Sequence, residues 1–146
     1  MLRVVLDANI YISALLKPKG LQSKIVRKGF QGDFQIVISE KIFLEICRVL
    51  KYPKIAERLS VSNQEIKKFL ERLIDVSQWT LDEVYVRACE DPNDDIYLAC
   101  AKESRADFLV SGDQHLLKMK EFGATKVVMS RVFLELLHCH SNARRP

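Results

Sequence analysis

Four short apolar runs constrain this chain more than any other feature: Val4 to Leu6, Phe34 to Ile38, Phe108 to Val110 and Lys126 to Met129. They are too short for helices, and they do not alternate with polar residues as half-exposed strands do. Such runs suit strands buried on both faces. Between them, apolar residues recur at helical spacing over residues 9–16 and 21–31, from Ser39 to about Leu50, and at Ile66, Phe69, Leu70, Leu73 and Ile74. Strands alternating with helices specify an α/β fold with a parallel sheet covered on both sides.

Local signals set the boundaries. Lys17-Pro18-Lys19-Gly20 breaks the first helical stretch, Ser39 can cap the next, and Tyr52-Pro53 closes it. Ser62-Asn63-Gln64-Glu65 is a capping-box pattern. Asp91-Pro92 opens a helix to about Lys102, Asp113 to Lys118 forms a short one, and Val132 to Leu137 the last. Val76 to Val86 reads as extended. Residues 1–138 form one domain, and residues 139–146 read as a disordered tail.

At 146 residues, 48% hydrophobic and 29% charged, the chain suits one soluble globular domain. It shows no secretory signal and no run long enough to span a membrane, so a cytoplasmic location is expected. Cys47, Cys89, Cys100 and Cys139 are scattered without a CxxC pair, which argues against a disulfide framework or a zinc knuckle. A net charge of +4 permits a nucleic-acid partner without requiring one.

The acids carry the chemistry. Ligands of open α/β sheets bind beyond the carboxyl ends of the strands. Asp7 follows the first apolar run directly, and Asp113 lies two residues beyond Ser111 at the end of the third. On a helical wheel Glu45 falls at the edge of the arc formed by Ile42, Ile46, Val49 and Leu50, about 60° from Ile42 and about 40° from Val49. It either leans toward the sheet rim or snorkels to solvent. Asp91, Asp94 and Asp95 crowd the start of a helix, where capping and the macrodipole explain each one alone. That helix continues Ile96-Tyr97-Leu98-Ala99-Cys100-Ala101, however, and a helix so apolar is buried. Carboxylates at a buried helix start call for a cation. Asp7, Glu45, Asp94 and Asp113 together fit one acidic pocket, whose members would raise one another's pKa without a positive partner. Oxygen donors without Cys or His select Mg²⁺ or Mn²⁺ over zinc.

Four segments, VLDANIYIS, ISEKIFLEICRVL, DPNDDIYLACA and LVSGDQHLL, resemble in order and spacing the PIN domain. They are most similar to its branch of toxin components of toxin–antitoxin systems, relatives of the VapC ribonucleases. The resemblance covers about residues 2–137. It implies a three-layer α/β/α sandwich on a mostly parallel sheet of about five strands, and a metal-dependent endoribonuclease. The acidic quartet of catalytic and metal-binding residues then falls on Asp7, Glu45, Asp94 and Asp113, supported by Asn9, Asp95 and Ser111. His115 stands where other members often have a further Asp, as a possible substrate contact. RNA, a cognate antitoxin and a second copy of the chain are the partners implied, and Ile55 to Val76 matches the helical pair used near the site and in partner contacts.

Cations for substrate phosphates could come from Lys17, Lys19, Lys24, Arg27 and Lys28, or from Arg48 and Lys51 on the helix of Glu45; each is more simply read as a solvated face. Rival acidic sites fit less well. A phosphatase of the haloacid dehalogenase type would need an acid where Asn9 stands, and a response-regulator receiver a lysine after a late strand, whereas Lys126 precedes its strand. The remaining alternative is a PIN-like module that binds RNA or protein without cutting.

Overall fold

The computed structural model describes residues 1–143. Its centre is a six-stranded sheet: β1 (Arg3–Leu6), β2 (Gln35–Ile38), β3 (Gln78–Trp79), β4 (Phe108–Val110), β5 (Glu121–Phe122) and β6 (Thr125–Val128). The strand order is β3-β2-β1-β4-β6-β5. All pairings are parallel except β5 with β6. The expected parallel strands are therefore present, and a two-residue antiparallel strand is added at one edge. Val5 stands between Val37 and Leu109 and is wholly buried, as its apolar run requires.

The helices are α1 (Ala8–Leu16), α2 (Leu21–Phe30), α3 (Glu40–Leu50), α4 (Pro53–Ala56), α5 (Asn63–Val76), α6 (Pro92–Ser104), α7 (Gln114–Leu117) and α8 (Ser130–Ala143). Ser39 caps α3 through the Ile42 N–H at 3.2 Å, and Ser62 caps α5 through the Glu65 N–H at 3.1 Å. Connections from β1 through β3 run toward one edge of the sheet, and those from β3 through β5 run back across it. α6 packs on β1, β2 and β4 and also meets α3, while α1 packs against α2 and α3. Phe133 of α8 meets Phe34 at 5.2 Å and Phe108 at 5.8 Å between ring centroids.

Two expectations change. Residues 139–143 continue α8 and are not a disordered tail, because Phe133 and Leu137 bury one face of a longer helix than the apolar pattern marked; residues 144–146 of that expected tail lie outside the described residues. Within Val76 to Val86 only Gln78 and Trp79 form a strand, while residues 80–91 are irregular. No helix is long and apolar enough to cross a membrane among the described residues.

Candidate active site

The direction of chain progression reverses between β1 and β4, which makes their carboxyl ends the topological switch point of the sheet. Leu6 pairs with Val110, and the Asp7 N–H extends the ladder by donating to the Val110 carbonyl at 3.0 Å. Asp7 is thus the end of β1 and also the N-cap of α1, with Oδ1 accepting from the Asn9 N–H at 3.1 Å. Asp113 caps α7, its Oδ1 accepting from the His115 N–H at 2.8 Å. Asp94 lies in the first turn of α6, behind the N-cap Asp91 and Pro92.

Ser111 joins two of these acids. Its buried hydroxyl donates to Asp7 Oδ2 at 2.7 Å and accepts from the Asp113 N–H at 3.0 Å. Tyr97, only 5% exposed, closes the other side. Its Oη accepts from the Ala8 N–H at 3.3 Å and stands beside the Asp7 carboxyl. The Asp7 side chain, itself 5% exposed, is held by the Ser111 hydroxyl beyond β4 and the Asn9 N–H of α1.

Burial pushes the Asp7 carboxyl above its ordinary value, and Asp113 adds repulsion; the bonds from Ser111 and Asn9, with the nearby Tyr97 hydroxyl, offset part of this. Asp94 is pushed up to about 6, first by burial and then by Asp113, Asp91 and Asp7, with His115 opposing. Asp7, Asp94 and Asp113 therefore share one electrostatic neighbourhood. Burial, with Asp7 and Glu45 adding to it, also pushes the Tyr97 phenol up, so it stays neutral.

Glu45 is differently engaged. Arg48 grips it from one turn along α3, with Nη2 2.6 Å from Oε1 and Nε 3.1 Å from Oε2. The same guanidinium contacts the Tyr52 hydroxyl, so Arg48 is engaged within α3 and its end. Glu45 bears on Tyr97, while the shifts of Asp7 and Asp94 come first from burial and then from acids other than Glu45. Asp95 is also drawn away: its Oδ1 accepts from the Ala88 and Cys89 N–H groups at 2.9 and 2.8 Å. Burial would push its carboxyl up, but these bonds outweigh burial and hold it below the usual range. Asn9 and His115 are exposed at the rim, Lys17 and Lys19 lie exposed between α1 and α2, and Lys51 is exposed at the end of α3.

Among the described residues, no three Asp, Glu, His or Cys side chains converge closely enough to hold one metal ion. The donor set nevertheless fits a hard divalent cation: Asp7, Asp94 and Asp113 supply oxygen alone, and their burial and mutual repulsion form the charge excess such an ion relieves. Sequence reasoning missed Tyr97, which its apolar neighbours disguised as one more core position of α6. Only the packing of α6 on β1 places its hydroxyl beside Asp7.

A model of the PIN domain family matches residues 3–115. The uncharacterized protein MJ1680 of Methanocaldococcus jannaschii is 30% identical over 120 residues, spanning 82% of this chain and 76% of the relative. That relative adds kinship and no activity. PIN domains are generally nucleases that use divalent metal ions and bind nucleic acid. The family match runs from β1 through the first turn of α7 and so takes in Asp7, Asp94, Ser111 and Asp113: the chain belongs to the PIN domain family.

Proposed function

We propose that the protein is a Mg²⁺- or Mn²⁺-dependent endoribonuclease acting in the cytoplasm as the toxin component of a toxin–antitoxin system. The observation that carries the nuclease reading is the Asp7–Ser111–Asp113 linkage at the switch point, with Asp94 raised to about 6 by burial and then by neighbouring acids that include Asp7 and Asp113. The toxin role rests on the resemblance of the four segments to that branch. When bound, such an ion supplies Lewis-acid activation of water and offsets phosphoryl charge.

The chain's own residues do the positioning. Asp7, Asp94 and Asp113 would hold the ion, with Glu45 a fourth acid tied to Arg48. The Ser111 hydroxyl and the Asn9 N–H keep the Asp7 carboxylate from rotating, so its oxygens need little reorganisation on binding. Asn9 and His115 stand exposed at the rim, where a phosphate could reach them.

The test compares RNA cleavage by the wild type, Asp7→Asn and Asp94→Asn, each with Mg²⁺ or Mn²⁺ and with EDTA. Metal-dependent cutting lost in both variants is expected. Cutting that survives EDTA, or ignores both substitutions, refutes the mechanism. The Glu45–Arg48 grip is what favours the second reading, a binding module without catalysis. Metal-independent RNA retention with no product would establish that reading instead.

A further inference from the structure

Residues 80–91 join the sheet edge at β3 to the start of α6 without regular structure, a length at which connections are usually functional. Two carboxylates of α6 hold this strap. Glu103 accepts from the Leu81, Glu83 (2.8 Å) and Val84 (3.3 Å) N–H groups, and Asp95 takes those of Ala88 and Cys89. Asp82 adopts φ 56°, which bends the chain where Glu103 grips it. Eight residues of α6, about 12 Å, separate the two clamps. Hydrogen bonds to ionised acceptors are the strong ones, so both ends of the strap are fixed.

Between the clamps stands Tyr85, 73% exposed. Arg87 Nε donates to its hydroxyl at 2.6 Å, and the guanidinium carbon lies 5.5 Å from the ring centroid. The pairing fixes the ring and leaves aromatic surface to solvent. Below it opens a cleft of about 500 Å³, floored by Pro92, Ile96 and Ala99 of α6 and faced by Lys41 of α3. That volume suits a small-molecule fragment. The acids on its border, Asp82, Glu90 and Asp95, disfavour an anion inside it and favour a neutral ring, with any phosphate directed outward to Lys41 or Arg87.

We propose that the Tyr85 strap is a nucleobase-stacking subsite for single-stranded RNA. The proposal rests on the nuclease reading for its choice of polymer. The strap runs from the Glu103 clamp, which holds Val84 next to Tyr85, to Asp91, the cap of the helix that carries Asp94, so a strand stacked on Tyr85 follows α6 toward the acidic centre. An exposed aromatic beside a cation is the usual platform for single strands, and it tolerates sequence variation because every base presents a π-face.

The experiment measures fluorescence anisotropy of a labelled single-stranded oligoribonucleotide with the Asp94→Asn protein, alone and combined with Tyr85→Ala or Tyr85→Phe. Circular dichroism verifies the fold of each variant. Tyr85→Ala should weaken binding about tenfold, whereas Tyr85→Phe, which keeps the ring, should stay within about twofold. Equal affinity for all three overturns the subsite. Cleavage by protein with Asp94 intact is measured alongside. Cutting combined with Tyr85-independent binding overturns the subsite alone. Tyr85-dependent binding with no cutting supports the subsite and overturns the nuclease reading.

Discussion

Asp94→Asn should stabilise the metal-free protein near neutral pH. The carboxyl is raised from 3.8 to about 6 in the fold. That rise of about two units, at about 1.4 kcal/mol each, sets a ceiling of about 3 kcal/mol on the cost of keeping Asp94 ionised. Asp94 is half-buried, so solvent screens part of this and about 1–2 kcal/mol remains. Asparagine also loses the favourable placement of negative charge at a helix start, about 0.3–1 kcal/mol. The net gain is about 1 kcal/mol, or about 3 °C in Tm for a chain of this size. The sign follows from linkage. A carboxyl whose pKa is higher in the folded state binds its proton more tightly there, so the penalty is absent below 3.8, grows up to about 6 and is complete above it. Thermal denaturation in EDTA near neutral pH and again at about pH 4 tests this, because most of the difference should vanish in acid. A variant equally or less stable than the wild type near neutral pH would refute the shared acidic field. Adding Mn²⁺ should then raise the Tm of the wild type more than that of the variant.

Two further substitutions probe the scaffold. Ser111→Ala removes the buried donor to Asp7 and the acceptor for the Asp113 N–H; it should destabilise by about 1.5–3 kcal/mol in urea denaturation, and a loss under about 0.5 kcal/mol would mean that the linkage contributes little. Gly29→Ala would place a Cβ 2.6 Å from Ile36 Cδ1 and 3.0 Å from Phe34 Cζ, both fully packed residues. Despite the better helix propensity of alanine, overpacking should lower stability by about 1–2 kcal/mol, read from the urea midpoint.

Much of the architecture was legible before any coordinates. Val4 to Leu6 and Phe108 to Val110 announce doubly buried strands by composition alone, and Ser39, Ser62 and Pro92 mark helix starts through local hydrogen bonding and backbone restriction. These signals are short-range, so a single sequence contains them. Asp7 and Asp113 were legible as rim residues for the same reason: each directly follows or closely trails a strand. The strand β5 was not, because two residues form no pattern, and Cys139 to Ala143 lack the apolar repeat that marks the rest of α8.

Side-chain allegiance was decided only in three dimensions. Along the chain Glu45 reads as a member of the acidic quartet with Asp94, and Asp95 as its support, yet Arg48 takes Glu45 and the amides of the strap take Asp95. Tyr97, an ordinary core position by pattern, accepts from the Ala8 N–H beside Asp7 once α6 lies on β1. Periodicity reports which face of an element is buried, whereas the partner a polar group finds depends on contacts between residues about 90 to 100 positions apart, as Ala8 with Tyr97 and Asp7 with Ser111. Elements come from local chemistry; the alliances among their polar groups come from how those elements pack.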